Sequence, residues 1–102
     1  MNIEERAQAL VEPLGSLINL VTFDSVDIKA AKVTKTVDPL MVILTFPLIS
    51  TIRKEFHQYL REAIRDYIKA KELYSGKIDI EYEISIKIYA KKRITPVWTP
   101  EG

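Results

Sequence analysis

Every even position from Ile78 to Ala90 is apolar or aromatic, and every odd position is polar or amphipathic. A strict period of two marks a strand with one face buried and one face wet, and it predicts one long strand over 77–90. The wet face reads Asp79, Glu81, Glu83, Ser85, Lys87, Tyr89 and Lys91, acidic first and basic last. Folded antiparallel about Ser85, it sets Asp79 against Lys91, Glu81 against Tyr89 and Glu83 against Lys87. Opposite charges so placed stabilise by a few tenths to about 1 kcal/mol each, so the strand is complementary to a second copy of itself. The competing expectation is pairing inside the chain with a strand over Ser25–Val37, whose Asp27, Lys29, Lys32 and Lys35 are available partners.

Periods of three and four precede this strand. Asn2 with Glu5 forms a capping-box pattern, and Ile3, Ala7, Leu10, Val11, Leu14, Leu17, Ile18 and Val21 draw one helical face. Pro13 predicts a kink or break near residue 12. Within Ser25–Val37 the apolar positions change phase at Ala30–Ala31, as at a bulge. Asp38-Pro39 is a turn signal. Leu40–Phe46 is almost wholly apolar, the pattern of a central strand covered on both faces, and Pro47 ends it. A second helix is expected from a cap at Ser50 or Thr51 to a stop at Gly76, burying Ile49, Ile52, Phe56, Tyr59, Leu60, Ala63, Tyr67 and Tyr74.

The order helix, strand, strand, helix, long strand predicts an α+β fold, two helices packed on one face of a mostly antiparallel sheet. The helix faces run in step when Ile3 is set on Ile52, which suggests two similar helix-plus-strand halves, about 1–47 and 48–94, of a single domain over 1–94. Residues 95–102 are expected to form a Pro/Trp-containing tail.

Bulk numbers narrow the class. A chain of 102 residues buries roughly 65% of its unfolded surface, enough for a core without staples. The formal charge is +1, so no global field draws the protein to nucleic acid or lipid, and a nucleic-acid role needs a local basic patch. Cysteine is absent, which removes disulfides, thiolate nucleophiles and sulfur-bound metals. No signal peptide is visible, and the apolar run Leu40–Ile49, broken by Pro47, is far shorter than the ~20 residues of a membrane helix. The expectation is a soluble, cytoplasmic protein with no membrane partner. Ile, Lys, Glu, Tyr and Val are plentiful while Asn, Gln and Cys are scarce or missing, a bias of hyperthermophile proteins.

Motifs of catalysis are missing. With glycine only at 15, 76 and 102 there is no phosphate loop, the serines lack a nucleophile elbow, and His57 has no second ligand at helical spacing. The chain is read as a non-enzyme without cofactor. Arg53, His57, Arg61, Arg65 and Lys69 form a basic run four residues apart, beside Glu55, Glu62 and Asp66 that blunt it. Lys91, Lys92 and Arg93 are the better basic cluster, with Tyr89 and Trp98 near enough to stack on bases. Trp98, between Pro96 and Pro100, is also suited to anchor an extended tail in a groove.

In length, thermophile bias and small α+β layout the chain resembles the orphan proteins of hyperthermophilic archaeal filamentous viruses. The resemblance is one of type and no residue motif carries it. It implies an interaction role, without enzymology, in host takeover or virion assembly, and the host cytoplasm as location. The passage from Thr45-Phe46-Pro47 into a helix is similar to that of the iron–sulfur assembly factor family. The cysteine expected after that proline is lacking, so that function does not transfer.

These readings converge on a protein-interaction module that binds an extended peptide or a second copy of itself through a strand edge or an inter-half groove. Its candidate residues are Glu81, Glu83, Ser85, Lys87, Tyr89 and Trp98. The alternative is a nucleic-acid binder using Arg61, Arg65, Lys69, Lys91, Lys92 and Arg93.

Overall fold

The computed structural model describes residues 2–37 and 40–92. Trp98, Arg93 and the tail over 95–102 lie outside the described residues. The chain forms α1 (Ile3–Gln8), α2 (Val11–Thr22), a 3-10 turn (Ile28–Ala30), β1 (Lys32–Thr36), β2 (Met41–Pro47), a second 3-10 turn (Lys54–Phe56), α3 (His57–Ala70), β3 (Tyr74–Ile80) and β4 (Glu83–Tyr89). The four strands make one antiparallel sheet in the order β1-β2-β4-β3. The fold is α+β, and the helices cover one face of the sheet.

That face is the core. Val42, Leu44 and Phe46 of β2, Ile84, Ile86 and Ile88 of β4, and Ile78 and Ile80 of β3 are buried against Ile3, Ala7, Leu10, Leu14, Ile18, Leu60, Ile64 and Ile68 of the helices. Each of these valine, leucine, isoleucine and phenylalanine side chains contributes roughly 1.5–3 kcal/mol on burial, so the alternation along β2 and β4 fixes which face of the sheet meets the helices.

Local chemistry sets the element ends. The capping box holds: the Asn2 side chain accepts from the Glu5 N–H at 2.8 Å, and Glu5 Oε1 accepts from the Asn2 N–H at 3.2 Å. The helical break falls at Ala9–Leu10, ahead of the position expected from Pro13. Pro13 sits in the first turn of α2, where a backbone N–H would have no intrahelical acceptor, so it is tolerated there. The strand expected over Ser25–Val37 is only β1. Val26 makes an isolated bridge to Leu48, and the change of phase is the 3-10 turn at Ile28–Ala30. The second helix starts later than Ser50, and Ser50 instead donates from Oγ to Ser25 Oγ at 3.1 Å. It stops at Lys71, with Glu72 at φ 60° and the Leu73 N–H bonded to the Ile68 carbonyl. Tyr74 and Gly76 therefore belong to β3. Ile49 and Tyr59, expected on the buried face, are exposed, and Ile64 and Ile68 take the core positions.

The largest difference is over 77–90. The single long strand is a hairpin, β3 and β4, with Ile80 opposite Ile84 and the turn at Glu81-Tyr82. β4 lies between β2 and β3 and is bonded on both sides. Neither of its edges is open to a second copy, and neither pairs with β1.

Candidate nucleic-acid interface

Helices cover one face of the sheet, and the opposite face is built from the positions between the buried ones. In register, Thr34 of β1 faces Ile43 of β2 and Ile43 faces Lys87 of β4; Lys32, Thr45, Ser85 and Asp79 make the next row; Pro47 and Glu83 end the sheet. At the other end Tyr74 is the cross-strand partner of Tyr89. β2 was expected to be covered on both faces. Its Met41, Ile43, Thr45 and Pro47 are instead half-buried members of this open face.

The open face is electrically polarised. Folding occurs about Tyr82 rather than Ser85, so Glu81 comes beside Glu83 at the turn, Asp79 opposite Ser85, and Lys77 near Lys87. The acidic and basic ends are therefore reinforced by both strands. Glu83 and Lys87 lie about 13 Å apart, four residues along β4 at ~3.3 Å each, which exceeds the Debye length of about 8 Å at physiological salt.

The basic end holds a cleft of ≈ 370 Å³ lined by Tyr74, Ser75, Gly76, Lys77, Lys87, Tyr89 and Lys92. Its shape comes from an irregularity of the ladder: the register shifts between Ser75 and Ile78, so Gly76 and Lys77 bulge out of step with β4. The Tyr89 ring lies close over Gly76, where a Cβ would stand 2.8 Å from its Cε2. Tyr89, 9% exposed, is the floor, and Tyr74, 43% exposed, presents its ring to solvent. No carboxylate lines the cleft. Among the described residues its only ion pair is Lys77 Nζ to Asp79 Oδ1, at 3.5 Å between exposed side chains, an arrangement worth little in water. Lys91 and Lys92 follow β4 at this end, both exposed.

The helical basic run lies on α3, in the layer that covers the other face of the sheet. Arg61 Nε donates to the Ile78 carbonyl at 3.1 Å, which ties α3 to β3 and engages that guanidinium. Arg65 and Lys69, exposed, follow on the same helical face. α3 packs along β3 and leads straight into it, so they are carried toward the Tyr74 end of the sheet. Gln58 Nε2 donates to Glu62 at 3.0 Å, and Arg53 pairs with Glu55 at 3.0 Å. His57 Nε2 lies 3.0 Å from the Ile52 carbonyl. Among the described residues no three His, Asp or Glu side chains gather to hold a metal ion, and no helix is long and apolar enough to cross a membrane.

The structure thus brings Lys87, Tyr89 and Lys92 into one cleft and places Glu81 and Glu83 at the other end of the sheet, with Ser85 half-buried between. Sequence reasoning missed Tyr74 and Lys77, the two residues that the bulge presents. Gly76 inside a strand pattern was the available signal, since an isolated glycine there marks a bulge or a close approach. No protein-family model, curated protein or solved structure matches this chain.

Proposed function

We propose that this chain is a binding module, not an enzyme, that takes up single-stranded nucleic acid on the basic end of its open sheet face. One observation carries the reading: a cleft that joins an exposed tyrosine to three lysines and contains no carboxylate. Every base has a π-face, so Tyr74 stacks on bases without regard to sequence, while Lys77, Lys87 and Lys92 neutralise the adjoining phosphates. A four-stranded sheet with helices behind it and aromatic residues in front is a known solution for splayed single strands. Duplex is disfavoured because its bases are stacked and out of reach. Lys91 extends the positive surface beyond the cleft, and Arg65 and Lys69 add positive charge from the helix layer.

Strand addition has less support. The edges of the sheet are β1 and β3. The bulge and Arg61 interrupt β3. Lys32 and Lys35 guard β1, which is the usual way that an edge is kept from pairing.

The test is fluorescence anisotropy with labelled eight-nucleotide oligo-U and oligo-dT. Three lysine contacts give a slope near −2 in log K against log salt, so affinity falls roughly twentyfold between 50 and 200 mM salt. Tyr74→Ala removes a stacking platform worth about 1–3 kcal/mol, and Lys87→Glu and Lys92→Glu each weaken binding further. Lys32→Glu on β1 leaves it unchanged. Undetectable binding at low salt, or binding indifferent to Tyr74→Ala and Lys87→Glu, removes the proposal. Equal binding of a free mononucleotide assigns the cleft to nucleotides instead.

A further inference from the structure

We infer that the acidic end of the same sheet is a docking site for another protein, through an apolar segment of that protein flanked by lysine or arginine. Three neighbouring segments meet there. The Ile49 N–H bonds the Ser25 carbonyl at 2.7 Å, and the Leu48 N–H bonds the Tyr82 carbonyl at 3.3 Å. Each segment offers one large hydrophobic side chain to solvent: Phe23 is 86% exposed, Ile49 67% and Tyr82 91%. Exposed aromatic and aliphatic anchors on neighbouring, hydrogen-bonded segments of backbone are the usual energetic centre of a protein interface.

The presentation of Phe23 is built rather than incidental. Phe23 and Asp24 both have left-handed backbone, φ 60° and 63°. That conformation is costly for a residue with a large side chain, and it persists only where the surroundings over-determine it. They do so here. The Asn19 carboxamide accepts from the Val26 N–H at 2.8 Å and donates to the Val26 carbonyl at 3.1 Å. The Asp24 N–H bonds the Asn19 carbonyl at 2.9 Å, and buried Ser25 donates from Oγ to the Thr22 carbonyl at 2.9 Å. A corner this firmly held turns an aromatic ring outward, and the ring gains nothing from its own fold.

Charge selects the partner. The segments over 22–27, 47–50 and 80–84 contain Asp24, Asp27, Glu81 and Glu83 and no lysine or arginine; of the basic residues that adjoin them, Lys29 follows Asp27 by two positions and Arg53 is paired with Glu55. Such a surface repels phosphate and favours a basic rim around an apolar core. The site does not rest on the nucleic-acid reading, because the two ends of the sheet are separated by more than a Debye length.

The experiment is selection of displayed random peptides on the immobilised full chain, after removal of those retained by the double variant Phe23→Ser, Tyr82→Ser. Both side chains are exposed, so the variants fold, and circular dichroism checks it. Recovered peptides are expected to carry aliphatic or aromatic anchors among lysines and arginines. Resynthesised, they lose about tenfold or more in affinity for Phe23→Ser, Tyr82→Ser and Ile49→Ser, weaken as salt rises, and keep full affinity for Tyr74→Ala. Peptides that are acidic, that bind the double variant equally, or that cannot be enriched at all overturn the inference. So does self-association of the protein that depends on Phe23, which would assign the surface to a second copy.

Discussion

Gly76→Ala is the substitution that tests the cleft most directly, because Gly76 is the point where β3 and the floor of the cleft approach each other. A Cβ there meets Tyr89 Cε2 at 2.8 Å, Lys87 Cβ at 3.3 Å and the Tyr89 hydroxyl at 3.5 Å. The first distance is shorter than real contacts allow, and the Tyr89 ring, 9% exposed, has little space in which to retreat within the fold. Two terms oppose each other. Alanine restricts the unfolded chain and stabilises by about 0.4–1 kcal/mol, while an extra carbon in a packed contact costs about 1–3 kcal/mol. The contact is expected to win by about 1–2 kcal/mol. At about 4–8 °C per kcal/mol for a domain of this size, Tm falls by roughly 5–15 °C. The ring lines the cleft, so its displacement is expected to lower the oligonucleotide affinity as well. The assay is thermal unfolding of a double-mutant cycle with Tyr89→Leu, whose shorter side chain leaves room for the new carbon. The alanine is then tolerated, with a coupling on the order of 1 kcal/mol. A Gly76→Ala protein that is more stable than wild type, or a cycle with no coupling, refutes the packing argument and with it the reason for a cleft at this position.

Three further substitutions probe α2 and the corner that follows it. Gly15→Ala should destabilise, although alanine is the better helix former by about 1 kcal/mol, since its Cβ would stand 2.6 Å from Ile28 Cγ1; urea unfolding should show the sign reversing in an Ile28→Ala background. Asn19→Ala leaves the Val26 N–H and carbonyl without their side-chain partner and should cost about 1–3 kcal/mol per buried group left unpaired, read as a lower midpoint in urea and faster amide exchange at Val26. Phe23→Gly should be at least about 1 kcal/mol more stable than Phe23→Val, because only glycine adopts φ 60° freely; equal midpoints would mean that the corner carries no strain.

The class of fold was legible in the sequence because the strongest patterns are local. The capping box at Asn2 and Glu5 holds, and the apolar positions Ile78, Ile80, Ile84, Ile86 and Ile88 are all buried. The hairpin was hidden in that same pattern. Ile80 and Ile84 are direct cross-strand partners, so they face the same side, and the residues between them preserve the parity of the alternation. A period of two therefore runs through the turn without a break. Glu81-Tyr82-Glu83 also carries no glycine, asparagine or proline to mark one. The end of α3 was hidden for a similar reason: Glu72, not a glycine, takes the left-handed position, so Tyr74 read as a helical residue. In β2 the apolar run was right about a central strand and uninformative about coverage, because Met41 and Ile43 sit on the open face. Of the candidate site, Lys87, Tyr89 and Lys92 were visible, whereas Tyr74 and Lys77 join them only through a bulge whose one trace in the sequence is Gly76.

The charge order along 77–91 now has the opposite consequence from the one it has in an unbroken strand. Read about Tyr82, it is nearly symmetric: Lys77, Asp79 and Glu81 on one arm, Glu83, Ser85 and Lys87 on the other. A hairpin folded at Tyr82 sets like charge beside like, Glu81 with Glu83 and Lys77 with Lys87, and such neighbours cost a few tenths of a kcal/mol each. Folding alone favours the reverse, so the polarised face is retained against a stability penalty, as expected of a binding surface. The penalty predicts two signs. Raising salt screens repulsion within each end and should raise the urea midpoint, whereas oligonucleotide binding weakens. Lys87→Glu should stabilise the fold by a few tenths up to about 1 kcal/mol, through the new pair with Lys77, while it weakens oligonucleotide binding and flattens its salt dependence. A variant that loses stability and binding together would mean that Lys87 serves the fold, and the polarity of the sheet would then need no functional explanation.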